Sequence, residues 1–138
     1  GTISAPQPLT LALLMVLWQV PHYWLLALPD RSELQAAGFK VLPQRMSDRQ
    51  LLMAANQWML GVAATTLIMV PLQLVRDAFL QGLLYGLAAS LAISATWFSM
   101  KTLFVQRAAR KLRIGLHIYL AIVLLILLID QGLLRLAA

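Results

Sequence analysis

Residues 8–29 read PLTLALLMVLWQVPHYWLLALP, a run without Asp, Glu, Lys or Arg. A helix rises about 1.5 Å per residue and a bilayer core is about 30 Å thick, so this run suffices to cross a membrane. Three more uncharged runs occupy residues 51–75, 78–100 and 114–129. Together they predict an all-α membrane protein with four transmembrane helices, over about 8–29, 51–74, 78–101 and 114–135, in one membrane domain.

Composition agrees. Hydrophobic residues make up 61% of the chain and charged ones 12%, with a mean hydropathy of +0.79. Soluble domains hold about half apolar and a quarter charged residues. The runs are continuous, unlike the short alternating segments of a transmembrane β-barrel. The first run lacks a basic leader and carries Trp18, Gln19 and His22, so it is expected to stay in the mature protein and not to act as a signal peptide. Without cysteine there are no disulfides, thiolate nucleophiles or cysteine metal ligands.

Nine of the eleven basic residues fall between the runs: Arg31, Lys40, Arg45 and Arg49 after the first, then Lys101, Arg107, Arg110, Lys111 and Arg113 after the third. Positive loops stay in the cytoplasm, which puts the segments 30–49 and 101–113 there and both termini outside. A bacterial inner membrane is the expected home. The sequence pI near 10.6 does not indicate nucleic-acid binding, because these charges flank spans and suit anionic headgroups or a diphosphate. The first residue is Gly1, and the chain is expected to continue a longer protein.

Pro21 lies inside the first span and is expected to kink it, freeing a carbonyl one turn back. Trp18, Gln19 and His22 lie within one turn of each other on a helix. An ionisable residue at such depth signals function by default. His22 is either a substrate contact or a neutral histidine bonded to a helix carbonyl, and Tyr23 and Trp24 are further contacts or interfacial residues. Ser47 and Gln50 predict a capping box for the second span. Asn56, Gln57 and Trp58, in the first turns of the second span, either line a cavity or lie in the headgroup zone, the latter being the expectation. A short connection at Arg76–Asp77 pairs the second and third spans. Gly82, Gly86, Ser90 and Ser94 form a small-residue stripe expected to pack inside the bundle, with homodimerisation as the sharper use. Asp130 is expected to be structural, with Arg135 as its partner.

Trp18-Gln19-Val20-Pro21-His22-Tyr23-Trp24, followed by Ala37-Gly38 and Leu42-Pro43, resembles the protohaem IX farnesyltransferases of the UbiA-type intramembrane prenyltransferases. That family reads W-Q-x-P-H-F-W-x-L-A-L, then D-D-Y-x-x-A-G-x-P-M-L-P. Ala109-Arg110-Lys111-Leu112, Tyr119-Leu120 and Asp130 are similar to its A-R-x-L…Y-L…D ending. The resemblance implies a nine-helix protein of which this chain is the C-terminal half, its last four helices, with a cytoplasmic active site. It implies transfer of a farnesyl group from farnesyl diphosphate to protohaem IX (haem b), giving haem O, with magnesium as cofactor. Under it, Asp30 and Glu33 are the catalytic and metal-binding carboxylates. Lys40, Arg45 and Arg49 neutralise the diphosphate, and Trp18, Gln19, His22 and Tyr23 contact substrate.

Ser32, Leu34 and Lys40 stand where the family has an acid, a tyrosine and a proline. The family's first Asn- and Asp-containing motif does not occur in these 138 residues, so the chain alone is expected to be inactive and to need the missing N-terminal half. The alternative is a small non-catalytic four-helix membrane protein that binds a partner or lipid, or a degenerate prenyltransferase.

Overall fold

The computed structural model describes residues 6–40, 42–101 and 105–138. Helix α1 spans Pro6–Ala27 and passes through a 3-10 turn, Leu28–Asp30, into the short α2, Arg31–Ala36. Helices α3 (Asp48–Ile68), α4 (Ala78–Lys101) and α5 (Val105–Ala137) follow. Among the described residues all regular structure is helical, and α1, α3, α4 and α5 are long and apolar enough to cross a membrane. The all-α expectation holds: this is an integral membrane protein.

Helix α3 packs against α1 and α4, and α5 against α4 and α1, closing a ring of four. From Leu112 onward the buried side chains of α5 are Leu112, Leu116, Tyr119, Val123, Ile126 and Asp130, spaced alternately four and three residues apart. That spacing keeps one stripe of a helix facing its neighbours at a shallow crossing angle. Leu84, Ala88, Leu91 and Ala95 form the matching stripe on α4. Large apolar residues such as Phe79, Ile93 and Leu128 point outward, as lipid-facing side chains do.

The ends of the helices differ from the sequence expectation in two places. Helix α3 stops at Ile68, well before residue 74. Pro71 is the cause, since its ring excludes the carbonyl four residues back and biases its predecessor away from helix. Residues 69–77 therefore form a real connection, with Gln73 at φ 62°. Helix α5 begins at Val105, not near 114. Arg107, Arg110, Lys111 and Arg113 are good helix formers, while Ala108, Ala109 and Leu112 between them pack inward. The basic segment thus belongs to the helix.

The capping box forms: Gln50 N–H donates to Ser47 Oγ at 3.2 Å, and Ser47 N–H to Gln50 Oε1 at 2.8 Å. Helix α1 stays helical through Pro21. The small-residue stripe does not pack as expected, because a Cβ built at Gly82 or Gly86 would meet nothing within 4 Å. Ser90 and Ser94 return their hydroxyls to the carbonyls of Leu87 and Leu91 and border a groove of about 340 Å³ between α4 and α5.

Asp130 is 1% exposed, and its partner is not Arg135. Its Oδ1 accepts from the backbone N–H groups of Arg76 and Asp77 at 3.1 and 3.0 Å. Asp77 in turn accepts from Leu80 N–H at 3.0 Å, capping α4.

Deeper in the core, Tyr119 Oη–H donates to Thr66 Oγ1 at 2.6 Å, and Thr66 donates on to the Val62 carbonyl at 3.0 Å. Helix-to-helix hydrogen bonds in membranes contribute about 0.6 kcal/mol on average. Tyr119→Phe is expected to cost about 1 kcal/mol and to keep the fold, measured by thermal unfolding in detergent. A loss several times larger would mean that the hydroxyl organises more than the Thr66 contact.

Candidate functional site

The last turns of α1 present Trp18 and His22 toward α5. One turn apart, their rings stack with centroids 4.5 Å apart and planes 9° from parallel. From α5, His117 meets both edge-on, at 4.6 Å from His22 and 5.4 Å from Trp18. Trp18 Nε1–H donates to the Leu116 carbonyl at 3.2 Å, which fixes the indole against α5. Pro21, between Trp18 and His22 in the chain, is buried.

The imidazoles differ in their bonding. His117 Nδ1 lies 2.8 Å from the Arg113 carbonyl. A carbonyl only accepts, so Nδ1–H is the donor in this pair. His22 Nδ1 is buried and has no partner among the described residues. The sequence left open whether His22 would bond a helix carbonyl, and no such bond forms at that nitrogen. Gln19 and Tyr23 are exposed on the outer side of α1, and Trp24 is half-buried against the core. Sequence reasoning missed His117. Its signal was the second ionisable ring in an apolar helix.

Beyond α1, the chain turns across the end of the bundle, and Arg31 organises it. Its guanidinium donates to Asp48 Oδ1 at 2.7 Å, the Met46 carbonyl at 2.7 Å and the Pro43 carbonyl at 3.2 Å. Asp48 Oδ2 also accepts from the Gln106 amide at 3.2 Å, which ties the start of α3 to the start of α5. Arg31, Ser32, Gln35, Gln44, Asp48 and Gln106 line an open polar pocket of about 410 Å³. Nothing in the sequence singled out Arg31 or Asp48, because a pair 17 residues apart, one at the start of α2 and the other at the start of α3, has no periodic signature.

The other expected site residues are spread out. Asp30 ends the 3-10 turn and Glu33 lies in the first turn of α2, both exposed. Lys40 borders a small surface cleft with Gln44, and Arg45 is exposed. Arg49 reaches the Met100 carbonyl at the end of α4, at 3.2 Å. Gln57 and Trp58 are exposed, but Asn56, placed in the headgroup zone by the sequence, is buried and leaves its Oδ1 without a partner among the described residues.

Magnesium is commonly held by one or two carboxylates together with substrate phosphates. Among the described residues no three His, Cys, Asp or Glu side chains cluster to hold an ion.

No protein-family model matches the chain, and no solved structure does. Curated proteins do. The chain is 33% identical over 126 residues to Protoheme IX farnesyltransferase 2 of Paramagnetospirillum magneticum, a match that covers 91% of this chain and 40% of that protein. With Protoheme IX farnesyltransferase of Mycolicibacterium smegmatis the identity is 30% over 141 residues, 96% of this chain and 42% of that one. A shorter stretch of 43 residues, 31% of this chain and 16% of the relative, is 51% identical to Protoheme IX farnesyltransferase of Geotalea uraniireducens. The chain spans about two-fifths of the length of its long matches, in their C-terminal part. The resemblance read in the sequence is thus found again across nearly all of the chain.

Proposed function

We propose that the protein carrying this chain transfers a farnesyl group from farnesyl diphosphate to protohaem IX, giving haem O, and that this chain supplies the aromatic and imidazole side of the site. The observation that carries the reading is the match along about nine-tenths of the chain to proteins named protohaem IX farnesyltransferase. The Trp18–His22 stack agrees with it, being formed by the most distinctive residues of the resemblance.

Prenyl transfer needs an allylic diphosphate to ionise. Negative charge grows on the leaving group while positive charge spreads over the allyl. Lys40, Arg45 and Arg49, with Arg31 already placed at the polar pocket, would meet the diphosphate through charge-assisted bonds. Indole and phenol faces of Trp18 and Tyr23 would stabilise the cation, and Gln19 would take a polar edge of the acceptor. His22, inside the bundle, would contact the haem or the prenyl chain. Magnesium, when bound, would take up charge on the diphosphate oxygens. Asp30 and Glu33 are this chain's contribution to holding it, alongside carboxylates from outside the chain. The basic ends of α2, α3 and α5 then face the cytoplasm of a bacterial inner membrane, and the N-terminal portion of a UbiA-type bundle completes the enclosure.

The test is haem O formation by the full-length protein in membranes, with pigments separated by chromatography. Glu33→Gln and His22→Ala are each expected to lower it at least about tenfold. Undiminished haem O in both variants would remove these residues from the site, and an inactive wild type would favour a non-catalytic membrane protein.

A further inference from the structure

Arg31 and Asp48, bonded to each other at 2.7 Å, both line the open polar pocket of about 410 Å³ at the end of the bundle. Resting on the farnesyl diphosphate reading above, we propose that Asp48 is a resident competitor for the anion site of this pocket: its carboxylate holds the donors that a diphosphate would take, and so sets how tightly the diphosphate binds.

The donors lead there first. Asp48 holds two of them, the Arg31 guanidinium through Oδ1 and the Gln106 amide, at 3.2 Å, through Oδ2. The chain thus binds an anion of its own between α2, α3 and α5. A phosphate offers the same acceptor chemistry with more oxygens and more charge. Ser32, Gln35 and Gln44 supply the other polar walls, and each carries a hydroxyl or amide able to donate. Asp48 is the one acid and Arg31 the one base among the lining residues, so the charge of the pocket is cancelled from within.

The anchoring of Arg31 is the second observation. Its Nη2 donates to the Pro43 and Met46 carbonyls, which hold the guanidinium in place without help from Asp48. Losing the ion pair therefore leaves Nη1 positioned for another anion. The third observation is that Asp48 is loosely held. Its side chain is 36% exposed, and water screens a pair at such exposure, so an incoming anion of higher charge can displace it. Arg31, Gln35 and Gln44 also wall the cleft that Lys40 borders, which places a second cation beside the pocket.

The experiment titrates inorganic pyrophosphate, in magnesium-containing buffer, into the full-length protein in lipid nanodiscs and follows binding by calorimetry. Asp48→Asn keeps the size of the side chain and removes its charge, and is expected to bind at least about fivefold tighter than wild type. A misfolded variant would bind more weakly, so damage to the fold cannot imitate this gain. In an Arg31→Ala background the same change is expected to alter affinity by less than about twofold, because the contested donor is gone. Equal or weaker binding by Asp48→Asn would overturn the inference, and so would a gain that persists undiminished in Arg31→Ala. Haem O formed by wild type in the same preparation would then leave the farnesyl reading standing. A wild type that forms no haem O and binds no pyrophosphate would remove both.

Discussion

Replacing Asp130 by alanine is expected to destabilise the protein by about 3 kcal/mol. Hydrogen bonds to a charged group contribute about 1.5–3 kcal/mol each, and a buried donor left unpaired costs about as much. Asp130 accepts two such bonds, from Arg76 and Asp77, at the point where the connection enters α4. Those N–H groups immediately precede α4, at its positive N-terminal end, where the negative charge that the substitution removes is favourable. Some of the loss is recovered, because the connection lies at the end of the bundle and water can reach it. Oδ2, buried with no partner among the described residues, already contributes less than it could. Asp130→Asn keeps one acceptor and should fall between the two. Thermal unfolding in detergent micelles measures this. If Asp130→Ala melts with wild type, the carboxylate does not hold the connection.

Replacing Arg31 by alanine is expected to have the second-largest effect, about 2 kcal/mol, felt locally before globally. The guanidinium spans three acceptors from residues 43 to 48, and its fork geometry makes Arg31→Lys a poor rescue. Its side chain is 14% exposed but that of Asp48 is 36% exposed, so solvent screens the ion pair itself. A double-mutant cycle with Asp48→Ala should return a coupling of only about 1 kcal/mol, the rest coming from the Pro43 and Met46 carbonyls. Limited proteolysis within residues 42–46 should quicken in Arg31→Ala, while the melting of the bundle shifts less. Equal cleavage rates would mean that the loop is held by other contacts.

The number and type of the spanning helices were legible in the sequence because a bilayer imposes a length and a polarity that the chain must meet residue by residue, whereas the short α2 was not. Boundaries were less so. Uncharged runs mark the hydrocarbon zone, and α5 continues past that zone through Arg107, Arg110 and Lys111. Pro71 is a local signal, readable in principle, that a count of charges passes over.

The site divides in the same way. Trp18 and His22 are one helical turn apart, so their stacking follows from 3.6 residues per turn and needed no tertiary information. Nothing local tells Trp18 that its indole N–H will find the Leu116 carbonyl, 98 residues on, or tells His22 that His117 will meet it.

By itself, then, the sequence determined what periodicity and solvent dictate: four apolar helices, the capping box at Ser47 and the aromatic turn of α1. Which faces meet was decided only by the tertiary structure. Packing α1 on α5 brought a second imidazole to the first, and the turn after α3 put Arg76 and Asp77 under Asp130 instead of leaving that acid to Arg135. Such pairings depend on the relative rotation and depth of whole helices, which many side chains set together and no single stretch of sequence encodes.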